Sequence, residues 1–420
     1  MTTELFLIDP RDDVAVALQP VAAGETVQAG GHTLVARAII PRGHKLALTS
    51  IAPGRPVRKY GWPIGLATAA IEPGDHVHSH NLTTALTGEE AYAYAASAPE
   101  PLQAPASPRT FEGYRRAGGR VGTRNEIWIL STVGCVARTA KRIARLASER
   151  FAGRFAGRVD GVHAFTHPFG CSQLGDDLGH TRKLLAALAA HPNAGGVLVL
   201  GLGCESNQLD ALLAEVPDRA RVRAFPAQSV EDETEAGLDA VAELVALAEQ
   251  DRRESCPLSD LVLGLKCGGS DGLSGLTANP LVGLVADRVA GAGGTPILTE
   301  IPEIFGAERL LMARAVDPRV FDQAADLVNR FKRYFLEHGQ PVSENPSPGN
   351  LDGGITTLEE KSLGAVQKAG RAPLTQVLSY GARTGRHGLA LLEAPGNDAV
   401  SSTALTAAGA TVILFTTGRG

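Results

Sequence analysis

The sequence predicts an α/β protein in which a small β-rich N-terminal domain precedes a large, doubly wound and mostly parallel α/β region. Up to about residue 96 the chain repeats short apolar segments separated by glycine turns. From residue 111 onward, apolar strands alternate with stretches rich in Ala, Leu and Arg that have helical character. Such alternation is typical of a parallel sheet covered by helices. At 420 residues the chain is too long for one core, so several domains are expected.

Four glycine turns define the first domain, which we place at residues 1–96. An apolar residue stands on either side of each turn, in segments 21–27, 40–46, 51–57 and 71–77. Glycine accepts a positive φ, and in two of the turns a preceding proline presets its own φ. The pattern therefore predicts short strands joined by tight turns, with few helices.

A segment rich in proline and small residues, residues 97–110, predicts a semi-rigid linker between this domain and the α/β region at 111–420. The α/β region is long enough for two subdomains. Helices are predicted at 139–154, 181–190, 235–249 and 308–337, the last with a break at 317–318. The sequence ends on an apolar strand and a Gly-Arg-Gly loop. Because such a strand normally leads into a covering helix, we expect the natural chain to continue further.

The composition excludes several classes of partner. The net charge is -5 and no basic tract occurs, so nucleic acid is not expected as a partner. No apolar stretch is long enough to span a membrane, and the first residues lack the features of a signal peptide. Five cysteines in a chain of this size indicate reduced thiols in a cytoplasmic protein rather than a disulfide framework. The sequence allows a homo-oligomer and does not fix the oligomeric state.

Four of the five cysteines stand where an apolar run gives way to glycine, at Cys135, Cys171, Cys204 and Cys267. Ligands bind at the carboxyl ends of strands in open α/β sheets, so these loops predict one convergent active site. An iron–sulfur cluster on the four thiols is an alternative, but no Cys-x-x-Cys pair supports it. For any single loop, the glycines are explained equally well by a tight turn.

Alternating histidines give the sharpest local signal. His76, His78 and His80 follow one another at every second position, and residues two apart on a strand share a face at roughly 6.5–7 Å. Two imidazoles spaced in this way can bind one metal ion, and imidazole suits Fe, Zn, Cu and Ni. His44 lies in a sister turn and is a further candidate. The alternative is an exposed polar strand face without a ligand.

Acids and lysines in the second half of the chain are open to two interpretations. Glu303 and Glu308 follow an apolar strand and are either metal or base candidates, or first-turn residues favoured by a helix dipole. Lys361 and Lys368 lie in a segment of small residues. A desolvated lysine can serve as a general base, whereas a solvated one is simply a surface charge.

Longer motifs link the chain to a known family. They occupy residues 42–51, 60–65, 76–81, 114–126, 169–177, 267–275, 346–350, 394–399 and 417–420. In these stretches the sequence resembles the altronate/galactarate dehydratase family, and the resemblance covers essentially the whole chain. It implies an N-terminal SAF domain, of the β-clip-like type, followed by the dehydratase region. The wider family includes the sulfolactate sulfo-lyase large subunit, whose small β domain is a separate subunit.

The resemblance implies a cytoplasmic hydro-lyase of hexuronate catabolism that converts D-altronate into 2-keto-3-deoxy-D-gluconate and water. It also implies a divalent metal, Fe²⁺ or Mn²⁺. The proton next to a carboxylate is a very weak acid, and a chelated metal ion can stabilise the enediolate that its removal creates. Galactarate dehydration, a sulfolactate sulfo-lyase-like activity and sugar-acid binding without catalysis are the alternatives.

With this chemistry in view, each candidate receives an expected role. We expect His76 and His78 to bind the metal. Catalytic roles are expected for Lys361 as the general base, assigned from location and residue type alone, and for His44 and Asp271. The residues expected to bind the sugar-acid substrate are Gln173, Asp177, Glu205, Asn207 and Arg419. The last of these would pair with the substrate carboxylate in bidentate fashion.

Overall fold

The computed structural model describes residues 3–95, 102–155 and 157–418. Two predictions therefore lie partly or wholly outside the described residues: the first part of the linker, at 97–101, and the substrate role of Arg419. None of the helices in the described ranges combines the length and the apolar character needed to cross a bilayer.

Short strands build the N-terminal part, as the turn pattern predicts. They are β1 (Thr3–Glu4), β2 (Val14–Val16), β3 (Thr26–Ala29), β4 (His32–Val35), β5 (Lys45–Ala47), β6 (Pro56–Lys59), β7 (Trp62–Ala67), β8 (His76–Val77) and β9 (Leu82–Thr83). They form three small sheets, ordered β1-β3-β4, β2-β5-β8 and β6-β7-β9. The four predicted turn glycines, at positions 24, 43, 54 and 74, have φ values of 82°, 82°, 77° and 91°. A side chain at any of these positions would be strained.

The apolar residues that open the turns pair with one another. Val21 forms an antiparallel bridge with Ile40, and Ile51 forms one with Ile71. All four side chains are buried. The repeated motif thus closes on itself in two matching pairs, and this holds the short strands together without a helix.

A first parallel sheet follows the linker. Its region contains β10 (Thr110–Arg115), β11 (Val121–Gly122), β12 (Glu126–Ser131), α1 (Ala137–Phe155), β13 (Gly161–Phe165), α2 (Asp176–Ala189), β14 (Ala194–Gly201), α3 (Leu209–Ala214), β15 (Val222–Pro226), α4 (Glu233–Ala248) and β16 (Glu254–Pro257). The parallel strands have the order β13-β12-β14-β15. Ile127 and Ile129 of β12 face the core under α1 and α4, whereas Trp128 and Leu130 face the α2 side. The sheet is therefore covered on both faces, as predicted.

A second parallel sheet completes the chain. Its region contains β17 (Val262–Cys267), α5 (Ala278–Gly291), β18 (Thr295–Leu298), α6 (Glu308–Met312), α7 (Pro318–Glu337), α8 (Pro348–Asp352), α9 (Leu358–Ala365), β19 (Leu374–Leu378), β20 (Leu389–Leu392), α10 (Asp398–Ala407) and β21 (Val412–Thr416). The order is β19-β20-β18-β17-β21, all parallel. The predicted helix break is real: Asp317 accepts a hydrogen bond from the Val320 amide and caps α7, with Pro318 in its first turn.

The N-terminal part packs directly on the second parallel sheet. One continuous core contains Ile64 and Val77 from the N-terminal strands together with Phe305 and Leu358 from the later region. The first parallel sheet contacts the second through α2 and α10. This packing brings side chains that are about three hundred residues apart in sequence into one site.

The four cysteine loops belong to two different sheets, and their convergence on one active site stays a prediction. Cys135, Cys171 and Cys204 follow β12, β13 and β14 of the first parallel sheet, but Cys267 ends β17 of the second. The sequence could not show this, because all four loops have the same local pattern and only strand order separates them. A single cluster on all four thiols is therefore not supported.

Candidate active site

Imidazoles from two neighbouring strands meet on the N-terminal part. Strands β5 and β8 pair with Leu46 opposite His76, so His44, just before β5, lies beside β8. The Nδ1 atom of His44 is 3.0 Å from the Nε2 atom of His76. The ring of His78 lies 5.0 Å from that of His44 and 5.4 Å from that of His76, between centroids. The fourth ring, His80, lies 5.6 Å from His76 and is exposed.

Backbone carbonyls of α8 orient two of these rings. The Nε2 atom of His44 donates to Asp352 O at 3.2 Å, and that of His78 donates to Leu351 O at 3.0 Å. A carbonyl only accepts, so in both rings the proton is on Nε2 and the lone pair is on Nδ1. This is the arrangement in which protein carbonyls commonly hold a metal-binding histidine.

Burial keeps the rings of His44, His76 and His78 uncharged. It lowers the pKa of His76 to about 3, helped by repulsion from the neighbouring imidazoles. Burial also lowers the pKa of His44 and His78. Neutral imidazole is the form that binds metal ions. Two imidazole ligands about one tetrahedral ion are separated by about 3.3 Å, close to the 3.0 Å between the nitrogens of His44 and His76. The donor set therefore fits a divalent ion. The ring of His44 lies nearer to that of His76 than the ring of His78 does, although His78 is the predicted partner.

A buried ion triad joins the N-terminal part to α9. Lys45 donates to Glu360 Oε2 at 2.8 Å and Lys59 donates to Glu360 Oε1 at 2.7 Å, and all three side chains are buried. Burial alone would raise the pKa of Glu360, but the two ammonium groups hold it well below its ordinary value. Burial lowers the pKa of Lys45 to about 8 in spite of this partner. Lys45 also donates to Gly354 O at 2.9 Å, next to the loop that anchors the histidines.

Lys361, the next residue of α9, points away from this ion triad and contacts other residues. Its Nζ atom donates to Glu303 Oε1 at 2.9 Å, to Asn345 Oδ1 at 2.9 Å and to Asn350 Oδ1 at 3.3 Å. The Asn350 amide is fixed in this orientation because its Nδ2 donates to Ser270 O at 2.8 Å. Since Asn350 belongs to α8, the same short helix contacts both Lys361 and the histidine rings.

Asp271 shares a small cavity with Lys361. Tyr60 and Glu360 also line this cavity, whose volume of about 10 Å³ is enough for roughly one water molecule. The Oδ1 atom of Asp271 accepts from the amides of Leu273 and Ser274, at 3.0 and 2.9 Å. The structure thus brings Lys361 and Asp271 together, and it also gives Asp271 a capping role in its own loop.

A third charged group lies at the carboxyl ends of β17 and β18. Lys368 donates to Cys267 Sγ at 2.7 Å and to Glu300 Oε2 at 2.9 Å, and Lys266 also binds Glu300. Burial raises the pKa of Cys267 to about 12. Glu300 holds a left-handed backbone with φ of 67°, a strained conformation that is often found at functional sites. The ligand atoms of Cys267, Glu300 and Glu303 lie close enough for a metal ion, but the Lys368 ammonium already provides the positive charge there.

The other predicted substrate residues lie on the first parallel sheet. Glu205 accepts from the Gly203 amide at 2.6 Å. Asn207 donates to Thr132 O at 3.1 Å, and Gln173 accepts from the Gly170 amide at 2.9 Å. These contacts stabilise the loops at this edge of the sheet, and the Asn207 bond joins the loop after β14 to the loop after β12. Asp177 is exposed in the first turn of α2. Their substrate-binding role stays a prediction.

Comparison with known sequences follows the same division of the chain. The SAF domain of altronate/galactarate dehydratases matches residues 3–85. The second domain of D-galactarate dehydratase/altronate hydrolase matches 113–249, and the D-galactarate/altronate dehydratase C-terminal domain matches 258–420. The chain belongs to the altronate/galactarate dehydratase family. The resemblance seen in the sequence motifs is thereby confirmed, and the β-rich N-terminal part is its SAF domain.

Relatives of this dehydratase family are similar over most of the chain. An altronate dehydratase of Bacillus subtilis is 49% identical over 98% of this chain and 83% of its own length. An altronate dehydratase of Escherichia coli is 51% identical over 97% of this chain and 82% of its own length. A galactarate dehydratase (L-threo-forming) of Escherichia coli is 36% identical over 91% of this chain and 75% of its own length.

Sequence reasoning missed the buried lysines of this family member. Lys45, Lys59 and Lys266 are fully buried, and their acidic partners are Glu360 and Glu300. A signal was present, because Lys45 and Lys266 stand inside apolar strands. A lysine in a buried strand needs an acidic partner, but nothing in the local pattern identifies which acid that is.

Proposed function

We propose that this chain is a hydro-lyase that removes water from D-altronate to give 2-keto-3-deoxy-D-gluconate. The observation that carries the proposal is the identity of 49% and 51% to two altronate dehydratases over 98% and 97% of the chain. Galactarate is a less favoured substrate, because the relative named for it is 36% identical. The imidazole and lysine groups supply the parts that such a reaction needs.

A divalent ion, Fe²⁺ or Mn²⁺, is part of the proposal. His44, His76 and His78 would hold it, since two of their Nδ1 lone pairs are free of the carbonyl contacts that fix the rings. When bound, such an ion polarises substrate oxygens and stabilises negative charge on an enediolate. We further propose that the enzyme acts in the cytoplasm, where its five free thiols would stay reduced.

Lys361 is the proposed general base. It must be uncharged when it accepts the proton next to the substrate carboxylate, and Glu303, 2.9 Å away, is the group to which its own proton can pass. The electron pair of the broken C–H bond forms the enediolate and then expels the β-hydroxyl, which takes up the proton held by Glu303 and leaves as water. The enol that remains then tautomerises to the 2-keto acid. Asn345 and Asn350 hold the amine in place. The small cavity beside Lys361 excludes bulk water and must widen to admit the sugar acid.

Activity can be tested on anaerobically purified protein with D-altronate and either Fe²⁺ or Mn²⁺, by assaying the 2-keto-3-deoxy acid. We expect ion-dependent turnover of altronate that His76→Ala abolishes, because this half-buried ring is a proposed ligand. His32→Ala, at an exposed strand position, is the matched control and should retain turnover. Galactarate and sulfolactate assays run in parallel would reassign the substrate if either were used in preference to altronate. Absence of turnover with all three would refute the proposal.

A further inference from the structure

Three exposed thiols lie along one edge of the first parallel sheet. Cys135, Cys171 and Cys204 follow β12, β13 and β14, which are adjacent in the order β13-β12-β14. All three are free and exposed, whereas Cys256 and Cys267 are buried. The altronate chemistry proposed above uses none of the three. Several exposed thiols in one place are a chemical liability, so this arrangement requires an explanation.

The three loops that carry these thiols are fixed to one another. The Gly134 amide donates to Phe169 O at 2.9 Å, and the Asn207 amide donates to Gly170 O at 2.9 Å. A Cβ atom at Gly170 would come within 2.2 Å of Thr132 O, so glycine is required for the close approach of two of the loops. The thiols are thus presented on a preformed scaffold rather than on independent flexible segments.

Two other potential ligands near the thiols, His167 and Glu205, are already engaged in hydrogen bonds, so the thiols are the ligands that remain. His167 has both ring nitrogens engaged, one with Ser131 O at 2.8 Å and the other with the Phe169 amide at 3.1 Å. Glu205 is turned inward and accepts from the Leu202 and Gly203 amides. Cys135 also lies two residues before α1, a helix of 19 residues, at whose N-terminal end negative charge is favoured. This edge of the sheet thus offers three thiols, and neither His167 nor Glu205 is free to act as a fourth ligand.

The distance between thiolate ligands distinguishes a site for a single metal ion from a site for a larger cofactor. Thiolates about one tetrahedral zinc lie about 3.8 Å apart, given Zn–S bonds of about 2.3 Å. The three thiols follow three adjacent strands, and neighbouring strands of a sheet lie about 4.8 Å apart, so the loops spread the thiols over a wider space than one ion needs. In an iron–sulfur cluster each thiolate binds a different iron, so the sulfurs are further apart. Exposed Leu174 and Phe169 beside Cys171 would shield such a cofactor from water.

We propose that Cys135, Cys171 and Cys204 bind a [4Fe–4S] cluster whose fourth iron is open to an oxygen ligand from outside the protein. Cys267, which is buried with Lys368 in the other sheet, is not a ligand. The site is separate from the imidazole group. Its ligand class is an iron–sulfur cofactor, and the open iron would accept a hydroxyl or carboxylate oxygen.

The test is anaerobic reconstitution of the full chain with iron and sulfide. We expect visible charge-transfer absorption, with about four iron and about four acid-labile sulfide per chain. Cys135→Ser, Cys171→Ser and Cys204→Ser should each lose most of this absorption. Cys256→Ser, at a buried position of β16, is the matched control and should keep it. Far-ultraviolet circular dichroism of every variant shows whether a loss of absorption is a loss of fold.

Three outcomes would overturn the inference: no acid-labile sulfide, stoichiometric zinc in its place, or full absorption in a folded Cys135→Ser, Cys171→Ser, Cys204→Ser triple variant. His76→Ala should keep the cluster absorption, because the imidazoles lie on the N-terminal part. A chain that contains the cluster but does not dehydrate altronate would contradict the proposed function alone. Altronate turnover by a chain that never forms a cluster would contradict this inference alone.

Discussion

At the scale of single residues, Lys361 is the best-placed proton carrier of the second sheet. Its Nζ atom donates to Glu303, Asn345 and Asn350, so these three acceptors would engage every proton of its ammonium form. A base in this state must first release a proton, and the Glu303 carboxylate is in contact to receive it. In the proposed mechanism Lys361 and Glu303 therefore act as a pair.

Replacing the amine tests this role. Lys361→Met should lower kcat on altronate by about 10²–10⁴-fold, the usual range for a general acid or base. Lys141→Met, on the exposed surface of α1, should leave kcat unchanged. Circular dichroism would verify that both variants are folded. Near-normal turnover of folded Lys361→Met would remove this residue from the mechanism.

At the scale of elements, α9 connects the SAF domain with the second sheet. Three consecutive side chains of this buried helix make different contacts. Glu359 binds Thr84 and the Ala85 amide, Glu360 binds the two SAF-domain lysines of the ion triad, and Lys361 binds Glu303. Burial raises the pKa of Glu359, whereas the two lysines keep Glu360 ionised. Glu359 therefore depends on hydrogen-bond donors, whereas Glu360 depends on the two lysine charges.

Replacing each of these two acids by glutamine should distinguish their contributions to stability. Glu360→Gln leaves two buried ammonium groups without a counter-charge, which should reduce the free energy of unfolding by about 3–5 kcal/mol. Glu359→Gln keeps an oxygen that can accept from Thr84 and Ala85, and it should cost about 1 kcal/mol. Urea denaturation followed by circular dichroism measures both. Equal losses would show that the charge of Glu360 is not what stabilises the interface.

At the scale of the whole molecule, His191 links the two parallel sheets. Its Nε2 atom donates to Ala410 O at 3.2 Å, and its Nδ1 atom accepts from the Asn193 amide at 3.2 Å. Burial, aided by nearby arginines, lowers its pKa to about 3. The unfolded chain binds a proton here below about pH 6.5, but the folded chain does not. Stability from this group is therefore complete above pH 6.5 and falls as the pH drops toward 3.

The loss of stability at acid pH should depend on the protonation of His191. Between pH 7 and pH 5, His191 should account for about 2 kcal/mol of the loss in unfolding free energy. His191→Gln should be less stable at pH 7, and its stability should change less with pH by about this amount. His32→Gln, at an exposed position, should keep the full pH dependence of the parent chain. Identical pH profiles for His191→Gln and the parent would contradict the assignment.

Local patterns predicted the elements well, and long-range pairing poorly. The turn at Gly54 and the cap at Asp317 follow from local chemistry, so both were predictable. The clustering of His76 and His78 also needed only short spacing. By contrast, the pairing of Lys45 with Glu360 spans 315 residues, and strand order placed Cys267 in a separate sheet. Periodicity contains no information about either, because both depend on how the domains pack.

The buried triad of Lys45, Lys59 and Glu360 also limits how family members can exchange segments. One carboxylate is the shared ion-pair partner of two lysines that belong to a different domain. A hybrid enzyme that inherits its SAF domain from one parent and α9 from another would keep these ion pairs only if both parents match at all three positions. Mismatched parents would bury a charge without its partner, so the triad sets a compatibility rule for domain shuffling.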